Sequence, residues 1–139
     1  MSLRTVNKLP ESNLTSRTLI LDAMLGTGAT GPAREPFLSW IQQINDSDCI
    51  VVAVDLPSGL HADDGSNGNT AIKADCTITI GAPKTGLYVG DGPACAGIIR
   101  FAPIGLSVPT DAKSPFETPT RSQVIQHLGA LPADRHKGT

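Results

Sequence analysis

Three stretches of this chain carry residue types that could do chemistry. Asp22 closes the apolar run Thr18-Leu19-Ile20-Leu21, and Asp55 closes Val51-Val52-Ala53-Val54. Chain-breaking residues follow each carboxylate: Gly26-Thr27-Gly28-Ala29-Thr30-Gly31-Pro32 after the first, Pro57-Ser58-Gly59 after the second. A third apolar run, Ala74-Asp75-Cys76-Thr77-Ile78-Thr79-Ile80-Gly81, leads into Ala82-Pro83-Lys84. Carboxylate and hydroxyl oxygens suit a hard cation, with Asp22 and Ser58 as ligands. Asp55 would then be available for acid–base work or for holding the hydroxyls of a ligand. The glycine loop would let backbone N–H groups approach a phosphate closely, and Lys84 would offer it a cation.

Each of these residues also has a plainer reading. Asp55 can cap its turn by accepting bonds from backbone N–H groups. The glycine loop can be a flexible connection, and Lys84 a solvated loop lysine. The loop matches the spacing G-x-G-x-x-G, but the dinucleotide fingerprint also requires an acidic residue about 20 positions on. Asp55 lies 24 residues beyond Gly31, so the fit to a nicotinamide dehydrogenase is loose. His61 has neither a Ser or Cys nucleophile beside it nor a second His at ligand spacing, and reads as an exposed loop histidine. The Asp-rich run after it lacks the closing Glu of a calcium loop.

The elements that must position these groups are legible as alternating strands and helices. β-Branched apolar runs of this length fit strands of a parallel sheet, buried on both faces. In open α/β sheets ligands bind beyond the carboxyl ends of the strands, and parallel strands bring those ends to one rim. Between the first two strands, residues 34–44 carry Phe37, Leu38, Ile41 and Ile44 at helical spacing, with Pro36 suited to the first turn and Trp40 to packing. Ala96-Gly97-Ile98-Ile99-Arg100-Phe101-Ala102-Pro103 reads as a fourth strand after a turn at Gly90-Asp91-Gly92-Pro93. A stretch rich in Pro, Ser and Thr then leads to a short helix capped by Thr120.

Composition narrows the function classes. The 139 residues suffice for one domain with a modest core, 40% hydrophobic and 17% charged. A net charge of −2 and 4% aromatic residues give neither the electrostatic footprint nor the stacking surface of a nucleic-acid binder. No apolar segment approaches the about 20 residues needed to span a bilayer, so no membrane role and a cytoplasmic location are expected. Cys49, Cys76 and Cys95 are widely spaced with no C-x-x-C pattern and do not read as a metal or redox motif; Cys49 and Cys76 fall in apolar runs and read as buried thiols.

Taken in order, Leu21-Asp22-Ala23-Met24-Leu25-Gly26-Thr27-Gly28, Val54-Asp55-Leu56-Pro57-Ser58-Gly59-Leu60, Ala82-Pro83-Lys84-Thr85-Gly86-Leu87 and Ala96-Gly97 resemble the YjeF N-terminal family, the NAD(P)HX epimerases. The resemblance implies a Rossmann-like three-layer α/β sandwich with a mostly parallel central sheet, incomplete in this chain. It implies an isomerase that interconverts the R and S epimers of hydrated NADH and NADPH, a metabolite-repair activity. By resemblance Asp22 and Ser58 are ligands of a potassium ion, and Gly26, Thr27, Gly28, Ala29, Thr30, Gly31, Pro32 and Asp55 contact NADHX or NADPHX. Asp55 is the candidate for proton transfer, and no role carries over to Lys84.

The Asn-Asn-Gly-Gly-Asp-Gly-type loop of the family has no counterpart before Leu19. Residues 1–17 therefore read as a connector and residues 18–108 as the second half of the domain. Residues 109–139 read as a linker and the start of a following domain, since the closing His136-Lys137-Gly138-Thr139 is similar to the entry into the dehydratase of bifunctional members. Missing strands would leave a sheet edge and apolar faces uncovered. A homo-oligomer, or association with the missing half of the domain, is the expected remedy. The alternative is a non-catalytic nucleotide-binding, dimerisation or scaffold module of the same type, since a fold does not guarantee catalysis.

Overall fold

All four apolar runs form strands: β1 (Leu19–Asp22), β2 (Ile50–Val54), β3 (Cys76–Ile80) and β4 (Ile98–Ala102). They pair in the order β1-β2-β3-β4 and every pair is parallel. The architecture is α/β and Rossmann-like, as expected. The structure, a computed structural model, describes residues 8–9, 14–106, 117 and 119–128. The chain divides into two units, Met1–Ser107 and Val108–Thr139, and the sheet belongs to the first.

Helix α1 (Phe37–Asn45) follows the apolar spacing of its sequence, and its Ile41 and Ile44 are buried. They pack with Ala33, Val51 and Ile72, with half-buried Ile20, Leu9 and Leu14 around them. Full burial of an aliphatic side chain of this size stabilises by roughly 1.5–3 kcal/mol, so this cluster fixes α1 against β1 and β2. Trp40 packs edge-on against Phe37, ring centroids 5.7 Å apart. A second cluster of Leu56, Leu60, Ala71, Leu87, Cys95 and Ala96 gathers the turn after β2, the 3₁₀ turn Thr85–Leu87 and α2 (Gly92–Cys95). The Gly-Asp-Gly-Pro stretch is therefore more than a turn: its second glycine opens α2.

In the second unit, α3 (Arg121–Leu128) starts with a reciprocal cap. The Gln123 amide donates to Thr120 Oγ1 while the Thr120 amide donates to Gln123 Oε1, at 3.4 and 2.7 Å. Most of residues 1–17 and most of the linker lie outside the described residues, and both readings stay expectations. No helix among the described residues is long and apolar enough to cross a membrane.

One expectation is corrected. The strands are not buried on both faces. Val51 and Ala53 of β2 are buried, whereas Ile50 is 49% exposed. Register carries the pattern across the sheet: Leu19 pairs with Ile50, and Cys76 with Ile98, which is 58% exposed. Leu19, Leu21, Ile50, Ile78 and Ile98 thus share an open apolar face, opposite the face that meets α1. An apolar run records a preference for burial, not the identity of the layer that supplies it. On the packed face, Thr77 and Thr79 are buried but bonded, Thr77 Oγ1 donating to the Ala96 carbonyl at 2.7 Å. No described side-chain N or O atom is buried without a partner.

Candidate active site

Because all four strands run the same way, β1, β2 and β3 end on one rim, and the chemistry-bearing residues follow those ends. Two couples form there.

The first joins the ends of β1 and β2. Asp22 and Ser58 are each 1% exposed. Asp22 Oδ2 accepts from the Ser58 amide at 2.7 Å, and Asp22 Oδ1 accepts from Ser58 Oγ at 2.6 Å. Asp22 Oδ1 also accepts from the Met24 amide at 3.3 Å, while Ser58 Oγ accepts from the Leu25 amide at 2.9 Å. The couple therefore pins the chain at the point where it enters the glycine loop. Burial pushes the Asp22 carboxyl above the usual carboxylate range, against the opposing pull of the bonds from Ser58 and Met24. Ser58 is held in place by the next residue. Gly59 has φ +92°, and a Cβ there would run into the backbone of Thr70 and Ala71.

The second couple joins the ends of β2 and β3. Asp55 has φ +73° and is the only non-glycine residue with positive φ among those described. Its Oδ1 accepts from the Ile80 amide at 2.9 Å and from Lys84 Nζ in an ion pair. Lys84 Nζ also donates to the Ile80 carbonyl at 2.7 Å. Side-chain exposure is 24% for Asp55 and 17% for Lys84. Asp55 thus bonds across to β3, and none of its described bonds reaches Asp22 or Ser58.

Next to the Asp22–Ser58 couple, whose neighbours Leu25, Pro57 and Gly59 line it, lies a cavity of about 400 Å³ between the glycine loop and the turn after β2. Gly26, Ala29, Thr30, Gly31 and Pro32 line one side; Pro57, Gly59, Leu60 and His61 line the other. Thr27, Gly28 and Asp55 do not line it, although Asp55 precedes the lining residue Pro57 by two positions. Arg34, Glu35 and Phe37 complete the wall. These three had no local signal beyond following the loop. His61 is a correction: it is half-buried and faces the cavity, its Nε2 3.4 Å from the Gly31 carbonyl. With the proton assigned to Nε2, it donates across to the loop. Its position directly after Ser58-Gly59-Leu60, on the same rim, was the available signal.

The buried carboxylate of Asp22 and hydroxyl of Ser58 are hard oxygen donors, and here they bond to each other and to the Ser58, Met24 and Leu25 amides. Among the described residues no group of three or more His, Cys, Asp or Glu could hold a metal.

Comparison with known proteins gives concordant results. Residues 2–86 match the family model described as YjeF-related protein N-terminus. The chain is 46% identical over 88 residues to the bifunctional NAD(P)H-hydrate repair enzyme Nnr of Salinibacter ruber, covering 63% of this chain and 16% of that protein. It is 36% identical over 137 residues to the enzyme of the same name from Coxiella burnetii, covering 94% of this chain and 27% of that protein. It is 39% identical over 99 residues to the NAD(P)H-hydrate epimerase of Limosilactobacillus reuteri, covering 68% of this chain and 47% of that protein. The chain thus spans less than half the length of each of these relatives. With residues 2–86 matched, it belongs to the YjeF-related protein N-terminus family.

Proposed function

We propose that this chain carries an NAD(P)H-hydrate epimerase site, exchanging the R and S epimers of hydrated NADH and NADPH. The observation that carries the reading is the rim itself: a glycine loop walling a cavity, with Asp22, Ser58 and Asp55 at the ends of adjacent parallel strands. The relatives' names supply the substrate class.

The hydrated nicotinamide ring carries a hydroxyl and the ring nitrogen on one carbon, C6. Opening takes the proton from the hydroxyl as the C6–N bond breaks, its electron pair passing to the ring nitrogen, which takes up a proton and leaves a C6 aldehyde; reclosure on the other face reverses both transfers. In this reading Asp55 carries the proton from the hydroxyl oxygen toward the nitrogen and back. General acid–base catalysis of this kind contributes typically about 10²–10⁴-fold. The loop residues 26–32 bind the nucleotide through backbone N–H groups, and His61 and Pro57 face them from the opposite wall. Asp22 and Ser58 would hold a potassium ion, which when bound supplies positive charge beside the nucleotide. Without that ion the same pair still anchors the loop through the Leu25 and Met24 amides.

Cys49, Cys76 and Cys95 are free thiols, in keeping with a reducing cytoplasm. We assign no nucleic-acid or membrane partner. A second copy of this chain would cover the open apolar face of the sheet. That face is also the one observation favouring the second reading, a non-catalytic dimerisation or scaffold module.

The test is to mix the chain with epimerised NADHX and follow conversion of R to S by NMR, with and without potassium. Conversion that is faster with potassium is expected. No conversion and no nucleotide binding, alongside self-association, would replace the first reading with the second.

A further inference from the structure

We infer that Lys84 is the positioning residue for Asp55, holding one carboxylate oxygen so that the other is presented to the substrate. The inference rests on the reading above, in which Asp55 moves the proton. Three bonds close a ring at the end of β3. The Ile80 amide donates to Asp55 Oδ1, Lys84 Nζ pairs with the same oxygen, and Lys84 Nζ donates to the Ile80 carbonyl. Both polar groups of one strand residue therefore brace the two side chains. Oδ1 receives two donors, and Oδ2 receives none among the described residues. A carboxylate bonded this unevenly has a fixed plane and one oxygen left for a ligand.

Two further features separate this from an ordinary surface ion pair. First, both partners are mostly sheltered, at 17% and 24% exposure, where a surface pair would be screened and worth little. Second, Asp55 reaches the ring from a left-handed backbone conformation, φ +73°, that an L-residue adopts at a cost. The Asp55 amide donates to the Ile78 carbonyl at 2.8 Å, so β3 holds the residue from its backbone as well. Strain of this sort persists where surrounding structure over-determines it, and it concentrates at functional sites. Lysine suits the task because its ammonium is a compact charge with rotatable donors that can serve two acceptors at once.

The experiment uses the whole chain with Lys84→Met and Lys84→Arg, each alone and combined with Asp55→Asn. Lys84→Met is expected to lower kcat for NADHX epimerisation by about 10–100-fold, the scale of a roughly 1 Å misplacement, with KM nearly unchanged. Lys84→Arg should recover part of the loss. In the Asp55→Asn background Lys84→Met should cost nothing further, because the two residues act as one unit. An unchanged kcat in folded Lys84→Met, or additive losses, overturns the proposal. A second readout needs no activity: the Ile80 amide resonance and the Asp55 side-chain couplings should change in Lys84→Met and return toward wild type in Lys84→Arg. If wild type fails to epimerise, the functional reading is lost and this NMR comparison alone decides the positioning role. An unmoved Ile80 amide and unchanged Asp55 couplings would end it.

Discussion

The two aspartates at the rim have nearly the same sequence setting and opposite physical ones. Asp22 and Asp55 each end an apolar strand and each precede a glycine-containing turn. Asp22 is sealed, bonded to Ser58 and two backbone amides, and desolvated enough that its carboxyl is pushed up. Asp55 is partly open, strained, and balanced by a cation. A sealed carboxylate whose bonds run to loop backbone suits holding a loop or an ion. A braced, accessible carboxylate suits exchanging a proton. In the proposed reading that difference divides the labour of the site.

Stability measurements sharpen that division. Asp22→Ala should be the most damaging change, destabilising by about 2–4 kcal/mol in urea unfolding, because the buried Ser58 amide and hydroxyl lose their acceptor. A loss below roughly 1 kcal/mol would mean water or another group replaces the carboxylate readily. Ser58→Ala follows at about 1–3 kcal/mol, since the Leu25 amide loses its acceptor and Asp22 a donor. Its signature is faster hydrogen exchange at Leu25; unchanged exchange there would show that Ser58 does not anchor the loop. Asp55→Gly should lie within about 1 kcal/mol of wild type, because relief of the left-handed conformation offsets the lost ion pair and hydrogen bond. A larger penalty would make Asp55 as structural as Asp22.

Much of this was legible in the residues. Apolar runs ending in Asp, Asp-x-x-Ser and Pro-Lys located three parallel strand ends, and the 37, 38, 41, 44 spacing located α1. The limits have physical causes. Asp55 and Lys84 are 29 residues apart and meet only because β2 and β3 pair with Val54 opposite Ile78. No local pattern states that register. His61 looked exposed because its neighbours Ala62, Asp63 and Asp64 are loop-like, yet the Pro57-Ser58-Gly59 turn folds it back toward Gly31. Uncovered apolar faces are expected from the sequence, but not that the face carrying Ile50 and Ile98 is the open one. Hydrophobic runs do not say whether the layer that should bury them is in the same chain.

The most direct test of the division between the two aspartates is the R-to-S exchange rate of NADHX in potassium buffer, compared between wild type and Asp55→Asn. A loss of about 10²–10⁴-fold is expected, with the unfolding midpoint nearly unchanged. Exchange at the wild-type rate in folded Asp55→Asn would contradict it and remove Asp55 from the chemistry.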